Sequence, residues 1–115
     1  MRLKIGNNIF NCKVVQTDAE RAEGMMGKTF TDKFNGMLFL MDDDVSCFWM
    51  KNCITPLDII FIQNGVISKI HHDCSPCESE ECDNYCGRGK MVLEVAGGTC
   101  SAMNINKGES IKLLI

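Results

Sequence analysis

Two short runs of β-branched and apolar residues, 57–62 and 66–70, are separated only by Gln63-Asn64-Gly65. Asn-Gly between such runs is a strong signal for a β-hairpin, because both residues accept the positive φ of a tight turn. The sequence therefore predicts two adjacent antiparallel strands in the second half of the chain. A lone hairpin is marginally stable, so other strands or helices must cover it.

Other short runs favour strands as well. Residues 9–15 alternate roughly between apolar and polar, whereas residues 36–41 are continuously apolar and short enough for a buried strand. In contrast, residues 71–90 contain few large apolar side chains and are predicted to form one long loop. The seven predicted strands are residues 9–15, 36–41, 46–50, 57–62, 66–70, 91–95 and 110–115.

Two short helices complete the predicted elements. Thr17 and Glu20 match a capping box, which predicts a helix over residues 18–26 that stops at Gly27. A second short helix is predicted over residues 99–104. The expected fold class is mainly β, at the margin of α+β: a small antiparallel barrel or sandwich of about seven short strands with two short helices.

Length and charge limit the organisation and the partners. The 115 residues are expected to form a single domain, 1–115, since domains commonly have roughly 100–150 residues. The formal net charge is -3, so the chain lacks the basic excess that binds phosphate backbones, and we expect no nucleic-acid partner. The expected partner is a small molecule or a protein of unknown identity, and the sequence does not define the oligomeric state.

Targeting signals are not evident in the sequence. The N-terminus shows no apolar signal segment, and no apolar run approaches the roughly 20 residues that a membrane span needs. The default expectation is therefore a cytoplasmic protein with reduced thiols or metal-bound cysteines. Disulfide-bonded cysteines would instead indicate export, because disulfides persist in oxidising compartments.

Four of the eight cysteines lie in one acidic segment with the spacing C-x2-C-x4-C-x3-C. Four thiolates at close spacing can hold a tetrahedral zinc ion, and thiolates also suit iron–sulfur clusters; zinc is the cofactor expected if this segment binds a metal. Disulfide bonds that staple a polar loop are slightly favoured over metal binding, with free thiols as a third alternative, and four cysteines allow three pairings. The residues concerned are Cys74, Cys77, Cys82 and Cys86.

The other cysteines suggest different roles. Cys12 and Cys47 alternate with apolar strand residues and are predicted to be small buried hydrophobes. Cys53 and Cys100 lie at strand or turn ends. A thiol-dependent enzyme centred on Cys53 is a further hypothesis, although no local sequence signature supports it.

The stretch 48–58 combines aromatic, polar and turn-forming residues. Trp49 could provide the flat apolar wall of a pocket, with Lys51 and Asn52 as donors and Asp58 as an acceptor. The architectural alternative has Trp49 in the core, Asn52 in a turn, and Asp58 accepting backbone N–H bonds. Both interpretations fit the sequence.

Two further charged residues, Arg21 and Glu94, are predicted next to apolar positions. They are candidates to support the same pocket, and an Arg–carboxylate pair across a barrel would explain either one without catalysis.

Several ordered motifs resemble those of the domain-of-unknown-function 192 family. The clearest are F-W-M-K-N at residues 48–52 and P-L-D-I-I-F-I at 56–62, which match that family letter for letter. The similar region extends from about residue 12 to residue 115. The other motifs are R-A-E-G-M-M-G-K at 21–28, G-M-L-F at 36–39, V-L-E-V with A-G at 92–97, and the C-terminal ending.

The resemblance implies a compact β-barrel-like domain with small helices and no established reaction. It also implies that Cys77 and Cys82 are the pair found in relatives, with Cys74 and Cys86 as additions in this chain. Met25, Lys28 and Cys53 depart from the usual Leu, Arg and Thr.

The expected function is a non-catalytic binding or accessory module rather than an enzyme. Its ligand-binding candidates are Arg21, Trp49, Lys51, Asn52, Asp58 and Glu94. Zinc binding through the loop from Cys74 to Cys86 is the first alternative, and thiol-dependent catalysis is the second.

Overall fold

The computed structural model describes residues 1–114, which contain nine strands and two short helices. The strands are β1 (Arg2–Ile5), β2 (Asn8–Val15), β3 (Gly36–Leu40), β4 (Val45–Phe48), β5 (Leu57–Gln63), β6 (Val66–Cys74), β7 (Tyr85–Arg88), β8 (Met91–Ala96) and β9 (Ile111–Leu114), and the helices are α1 (Asp18–Glu23) and α2 (Thr99–Ala102).

Seven strands form one sheet in the order β6-β5-β8-β3-β2-β1-β9, and β4 and β7 form a separate two-stranded ribbon. Every pair in the large sheet is antiparallel except β2 with β3. The sheet curls into a half-barrel. Backbone hydrogen bonds join its two edges at one end, where Ile67 N–H donates to Glu109 O and Ile111 N–H donates to Gly65 O.

The central strands are buried on both faces. In β5, Ile60 and Ile62 belong to the core inside the curl, whereas Ile59 and Phe61 belong to a second core on the outer face. The ribbon, the segment between α1 and β3, and the segment after β4 cover this outer face. Because neither face meets water, these strands are continuously apolar in sequence rather than alternating.

The predicted fold class is confirmed: the chain is a small, mainly β structure with two short helices. The predicted hairpin forms at Asn64 and Gly65, which have φ of 52° and 76°. The predicted capping box also forms, since the Thr17 side chain accepts from Glu20 N–H and the Glu20 carboxylate accepts from Thr17 N–H.

Helix α1 is shorter than predicted. It ends at Glu23 because Gly24 takes a positive φ of 48° and donates its N–H to Glu20 O. Met25 and Met26 therefore belong to the following loop rather than to the helix.

The prediction of one long loop over residues 71–90 is wrong. Strand β6 continues to Cys74, and β7 forms within the predicted loop. Strand β7 carries few apolar residues, and its place depends on Gly87, where a Cβ atom would overlap the ring of Phe61. Close packing on β5, rather than an apolar pattern, locates this strand.

Smaller differences occur at the chain ends. Strand β1 is absent from the prediction, although Leu3 and Ile5 alternate with charged residues and are fully buried. The predicted C-terminal strand is observed as Ile111–Leu114, and its last predicted residue, Ile115, lies outside the described residues.

Candidate functional site

A cavity of about 290 Å³ lies between α1, the end of β3 and the start of the segment after β4. Two backbone contacts join the loop after α1 to the segment after β4 and so hold the outer wall of the cavity. Gly27 N–H donates to Asn52 O, and Met26 forms a β-bridge with Cys53. Six of the thirteen lining residues carry a thioether or an aromatic ring. These apolar residues are Met25, Met26, Phe39, Met41, Phe48 and Trp49.

Arg21 lines this cavity but is already bound by neighbouring groups. Its Nη1 donates to Leu40 O at 2.6 Å, and its Nη2 donates to the carboxylates of Asp18 at 2.9 Å and Asp42 at 3.0 Å. The hydrogen bond with Asp18 is the main cause that raises the pKa of the guanidinium. Arg21 therefore joins α1 to the end of β3, and its charge is compensated.

Glu94 is the one buried carboxyl group that lines the cavity among residues 1–114. It lies on β8 between Met37 and Ile59 of the adjacent strands, which are fully buried, and it is itself 3% exposed. Within residues 1–114 its side chain has no hydrogen bond or ion pair with the protein, and its carboxyl oxygens are not among the fully enclosed atoms that lack a partner, so they open onto the cavity. Burial raises the pKa of Glu94 to about 8, so the side chain is largely a neutral acid at neutral pH.

Trp49 stands at the mouth of the cavity, immediately after β4. It is 49% exposed, so the structure places it on the wall of a pocket rather than in the core. It is also the only tryptophan in the chain. Its fluorescence is therefore a specific reporter of this cavity.

Lys51 and Asn52 lie outside the cavity. The Lys51 ammonium donates to the carbonyl oxygens of Glu78 at 3.2 Å and Ser79 at 2.6 Å. Asn52 adopts a φ of 59° and donates its N–H to Cys77 O at 3.0 Å. These two residues fasten the loop after β6 onto the segment after β4.

Asp58 is fully buried on β5 and is also absent from the cavity wall. Its carboxylate accepts backbone N–H bonds from Asp73 at 2.7 Å, Gly98 at 3.1 Å and Cys100 at 2.8 Å. The architectural interpretation of Asp58 thus accounts for all of its observed contacts.

Of the six candidate ligand-binding residues, the structure brings Arg21, Trp49 and Glu94 to one cavity. It places Lys51, Asn52 and Asp58 elsewhere. Sequence reasoning placed Met25 and Met26 within the predicted helix over residues 18–26 and did not include them in the pocket. The methionine pair just before Gly27 was the available signal, but its role depends on the early end of α1.

The four cysteines proposed for zinc do not converge on one point. Cys77 is bonded to Cys82, Cys86 is bonded to Cys47, and Cys74 is a buried free thiol. Disulfide formation removes three of the four thiolates, so the prediction of a four-cysteine zinc site is corrected. Among residues 1–114, no group of three or more His, Cys, Asp or Glu side chains is arranged to hold a metal ion.

The disulfides also correct the prediction for Cys47. It is exposed on β4, where it faces Cys86 of β7 across the ribbon, and is not a buried hydrophobe. The pair of Cys77 and Cys82 is the one that the family resemblance implied. Cys12 is buried as predicted.

The free thiols offer little support for a thiol enzyme. Cys53 lines the cavity, but it is 7% exposed, and burial raises its pKa to about 11, with Glu94 adding to the effect. Burial raises the pKa of Cys74 in the same way. The thiolate is the nucleophile, so these groups are weakly reactive near neutral pH.

Comparisons with known proteins give a consistent result. The model of a family described as DUF192, Uncharacterized ACR, matches residues 1–113. Within the part of the chain that the structure describes, no helix is both long and apolar enough to cross a membrane. No curated protein matches the chain.

Two crystal structures are similar over nearly the whole chain. A protein of unknown function from Novosphingobium aromaticivorans DSM 12444 is 30% identical, with a TM-score of 0.84, over 97% of this chain and 84% of that chain. A protein from Sinorhizobium meliloti 1021, described as a "putative transcription regulator", is 26% identical, with a TM-score of 0.80, over 96% of this chain and 89% of that chain.

Proposed function

We propose that this chain, which belongs to the DUF192 family of uncharacterised proteins, binds a small, mostly apolar molecule and does not catalyse a reaction on it. The binding site is the cavity between α1, β3 and the segment after β4. The observation that carries this proposal is the unpartnered carboxyl group of Glu94 at the cavity wall.

A hydrogen bond to a largely buried carboxyl group contributes a net of about 0.5–1.5 kcal/mol, because it replaces a bond to water. Glu94 is 3% exposed, and its neighbours on β3 and β5 are apolar and provide no partner. A bound molecule that hydrogen-bonds to this carboxyl would gain this contribution. Ligand sites typically have this character: an apolar wall with a few convergent polar groups.

The cavity lacks a reactive nucleophile next to a base. Its thiol, Cys53, has a raised pKa, and neither histidine of the chain lines the wall. The ring of His71 contacts Cys86 O instead, at 2.8 Å. These features favour binding over catalysis.

The proposal is tested with phenethyl alcohol, a neutral aromatic probe small enough for the cavity. We expect a saturable change in Trp49 fluorescence with a dissociation constant of roughly 1 mM or lower. Isothermal titration calorimetry provides a second readout that does not depend on tryptophan.

Two matched variants locate the probe. Ala22 is an exposed residue of α1 that lines the cavity, so Ala22→Phe should fill its mouth and weaken binding at least tenfold. Ala19 is exposed on the same helix but does not line the cavity, so Ala19→Phe should bind as the parent protein does. Equal binding by the two variants, or no saturable binding by the parent, would overturn the proposal.

A further inference from the structure

We infer that the ligand of this cavity is a cationic amine with an apolar body, an alkyl- or arylalkylammonium, whose positive charge pairs with Glu94. This inference rests on the proposed function, since it names the chemical class of the molecule that the same cavity binds.

The first support is the position of Glu94. Its carboxyl is more than nine-tenths buried, has no partner within residues 1–114, and lines the cavity. The other buried acid of the described chain, Asp58, is fully engaged by three backbone N–H groups. An ammonium group donates up to three hydrogen bonds and would compensate the charge that burial disfavours.

The second support is the composition of the wall. The rings of Phe39 and Phe48 meet edge to face at 5.0 Å beside the cavity, and Trp49 stands at its mouth. The faces of aromatic rings attract cations, and thioether sulfurs are polarisable. Together these side chains offset part of the free-energy cost of desolvating an ammonium group, and they pack against the apolar body of the ligand.

The third support is the charge at the rim. Arg21 is held by two carboxylates, Asp18 and Asp42, so this cluster has one negative charge in excess. Glu23 pairs with Lys28 at 2.9 Å and is balanced. An anionic ligand would therefore meet no free cation at this rim, whereas a cationic ligand meets a favourable field.

Binding of the ammonium is coupled to the loss of the proton from the carboxyl group of Glu94. At neutral pH Glu94 is largely protonated, so binding of R-NH₃⁺ releases the carboxyl proton to the buffer and leaves a carboxylate–ammonium pair. The other titratable groups around Glu94 are Arg21 and Glu23 of α1 and the thiols Cys53 and Cys74. The two thiols stay neutral in this range because burial raises their pKa.

The experiment compares phenethylammonium with phenethyl alcohol, which has the same aromatic body without the charge. Binding is measured by Trp49 fluorescence, and by calorimetry in two buffers of different ionisation enthalpy. We expect the ammonium to bind roughly tenfold or more tightly than the alcohol at about pH 8, with proton release approaching one per molecule near neutral pH. Its affinity should rise about tenfold between pH 6 and pH 7, while that of the alcohol stays constant.

Glu94→Gln keeps the shape of the neutral acid but cannot form a carboxylate. It should lose the preference for the ammonium, the proton release and the pH dependence. Glu80→Gln makes the same side-chain replacement at an exposed carboxylate in the loop after β6 and should behave as the parent.

The outcomes separate the two proposals. If the alcohol binds but the ammonium binds no more tightly, the amine inference is overturned and the cavity remains a binding site. The same conclusion follows if Glu94→Gln keeps the full preference for the ammonium. If neither probe binds, both proposals fail.

Discussion

The carboxylate of Asp58 on β5 accepts a hydrogen bond of 2.8 Å from the backbone N–H of Cys100, 42 residues further along the chain. Cys100 lies in α2, whose N-cap residue Gly98 provides no side-chain cap. The same carboxylate also accepts from Gly98 N–H and from Asp73 N–H. One side chain thus caps a helix from a distance and fastens it to the ends of β5 and β6.

Replacing this carboxylate should destabilise the fold. Asp58→Asn leaves one acceptor oxygen for three N–H donors and turns an amide NH₂ toward them, so we expect a loss of about 2–4 kcal/mol in the free energy of unfolding. Urea denaturation followed by circular dichroism measures it. Asp43→Asn, at an exposed turn carboxylate, should change stability by less than about 0.5 kcal/mol. Equal stability of the two variants would contradict the capping role.

Features that depend on adjacent residues could be predicted from the sequence. The capping box of Thr17 and Glu20 spans four positions, and the hairpin depends on Asn64 and Gly65, which both adopt positive φ. The continuous apolar runs also predicted buried strands correctly, because both faces of β3 and β5 are covered.

Features that depend on distant partners could not be predicted. Asp58 and Glu94 are both acids in apolar strands, yet one meets three N–H donors from 15 to 42 residues away and the other meets a cavity. Nothing near either residue in the sequence distinguishes these outcomes. The pairing of Cys47 with Cys86 was missed for a related reason, since β7 was expected to be loop.

The two disulfides should contribute unequally to stability. Cys47 and Cys86 are 39 residues apart in sequence, whereas Cys77 and Cys82 are 5 apart. Because a longer closed loop restricts the unfolded chain more, loop-closure entropy gives about 4 kcal/mol for the first bond and about 2 kcal/mol for the second. Paired Cys→Ser variants at each bond, compared by urea denaturation, measure the difference. A larger loss at the shorter loop would contradict this order.

Four of the eight cysteines should be free thiols, and all four should resist modification in the folded protein. Burial raises the pKa of Cys12 to about 11 and that of Cys100 to about 12, so little thiolate exists near neutral pH. Mass spectrometry after iodoacetamide treatment without reductant should find almost no label on native protein and four labels after denaturation. Rapid labelling of Cys53 in native protein would revive the thiol-enzyme hypothesis, and eight labels would contradict the disulfides.

The ribbon should depend on a glycine at its contact with the sheet. A methyl group at Gly87 would overlap the ring of Phe61, so Gly87→Ala should force β7 away from β5 and destabilise the protein by about 1–3 kcal/mol. Ser46 is the matched control, because it faces Gly87 across the ribbon and its buried hydroxyl has no hydrogen-bond partner among residues 1–114. Ser46→Ala should therefore be neutral or stabilising by up to about 1 kcal/mol. A stable Gly87→Ala variant would show that the contact adjusts easily.

Glu94 should make stability depend on pH in the absence of a ligand. Burial raises its pKa from 4.5 to about 8, so the folded protein holds a proton that the unfolded chain releases between these values. Stability from this group is therefore fully present below about pH 4.5 and is lost as the pH rises through about 8, with a slope of up to about 1.4 kcal/mol per pH unit.

Glu94→Gln should remove this slope, because its amide does not ionise. The variant should match the parent near pH 5 and exceed it in stability near pH 8, as measured by urea midpoints across that range. The difference between the two proteins cancels the titration of every other group, so it isolates Glu94. If the two proteins lose stability in parallel, the carboxyl of Glu94 ionises in the folded protein as it does in the unfolded chain, and burial does not raise its pKa.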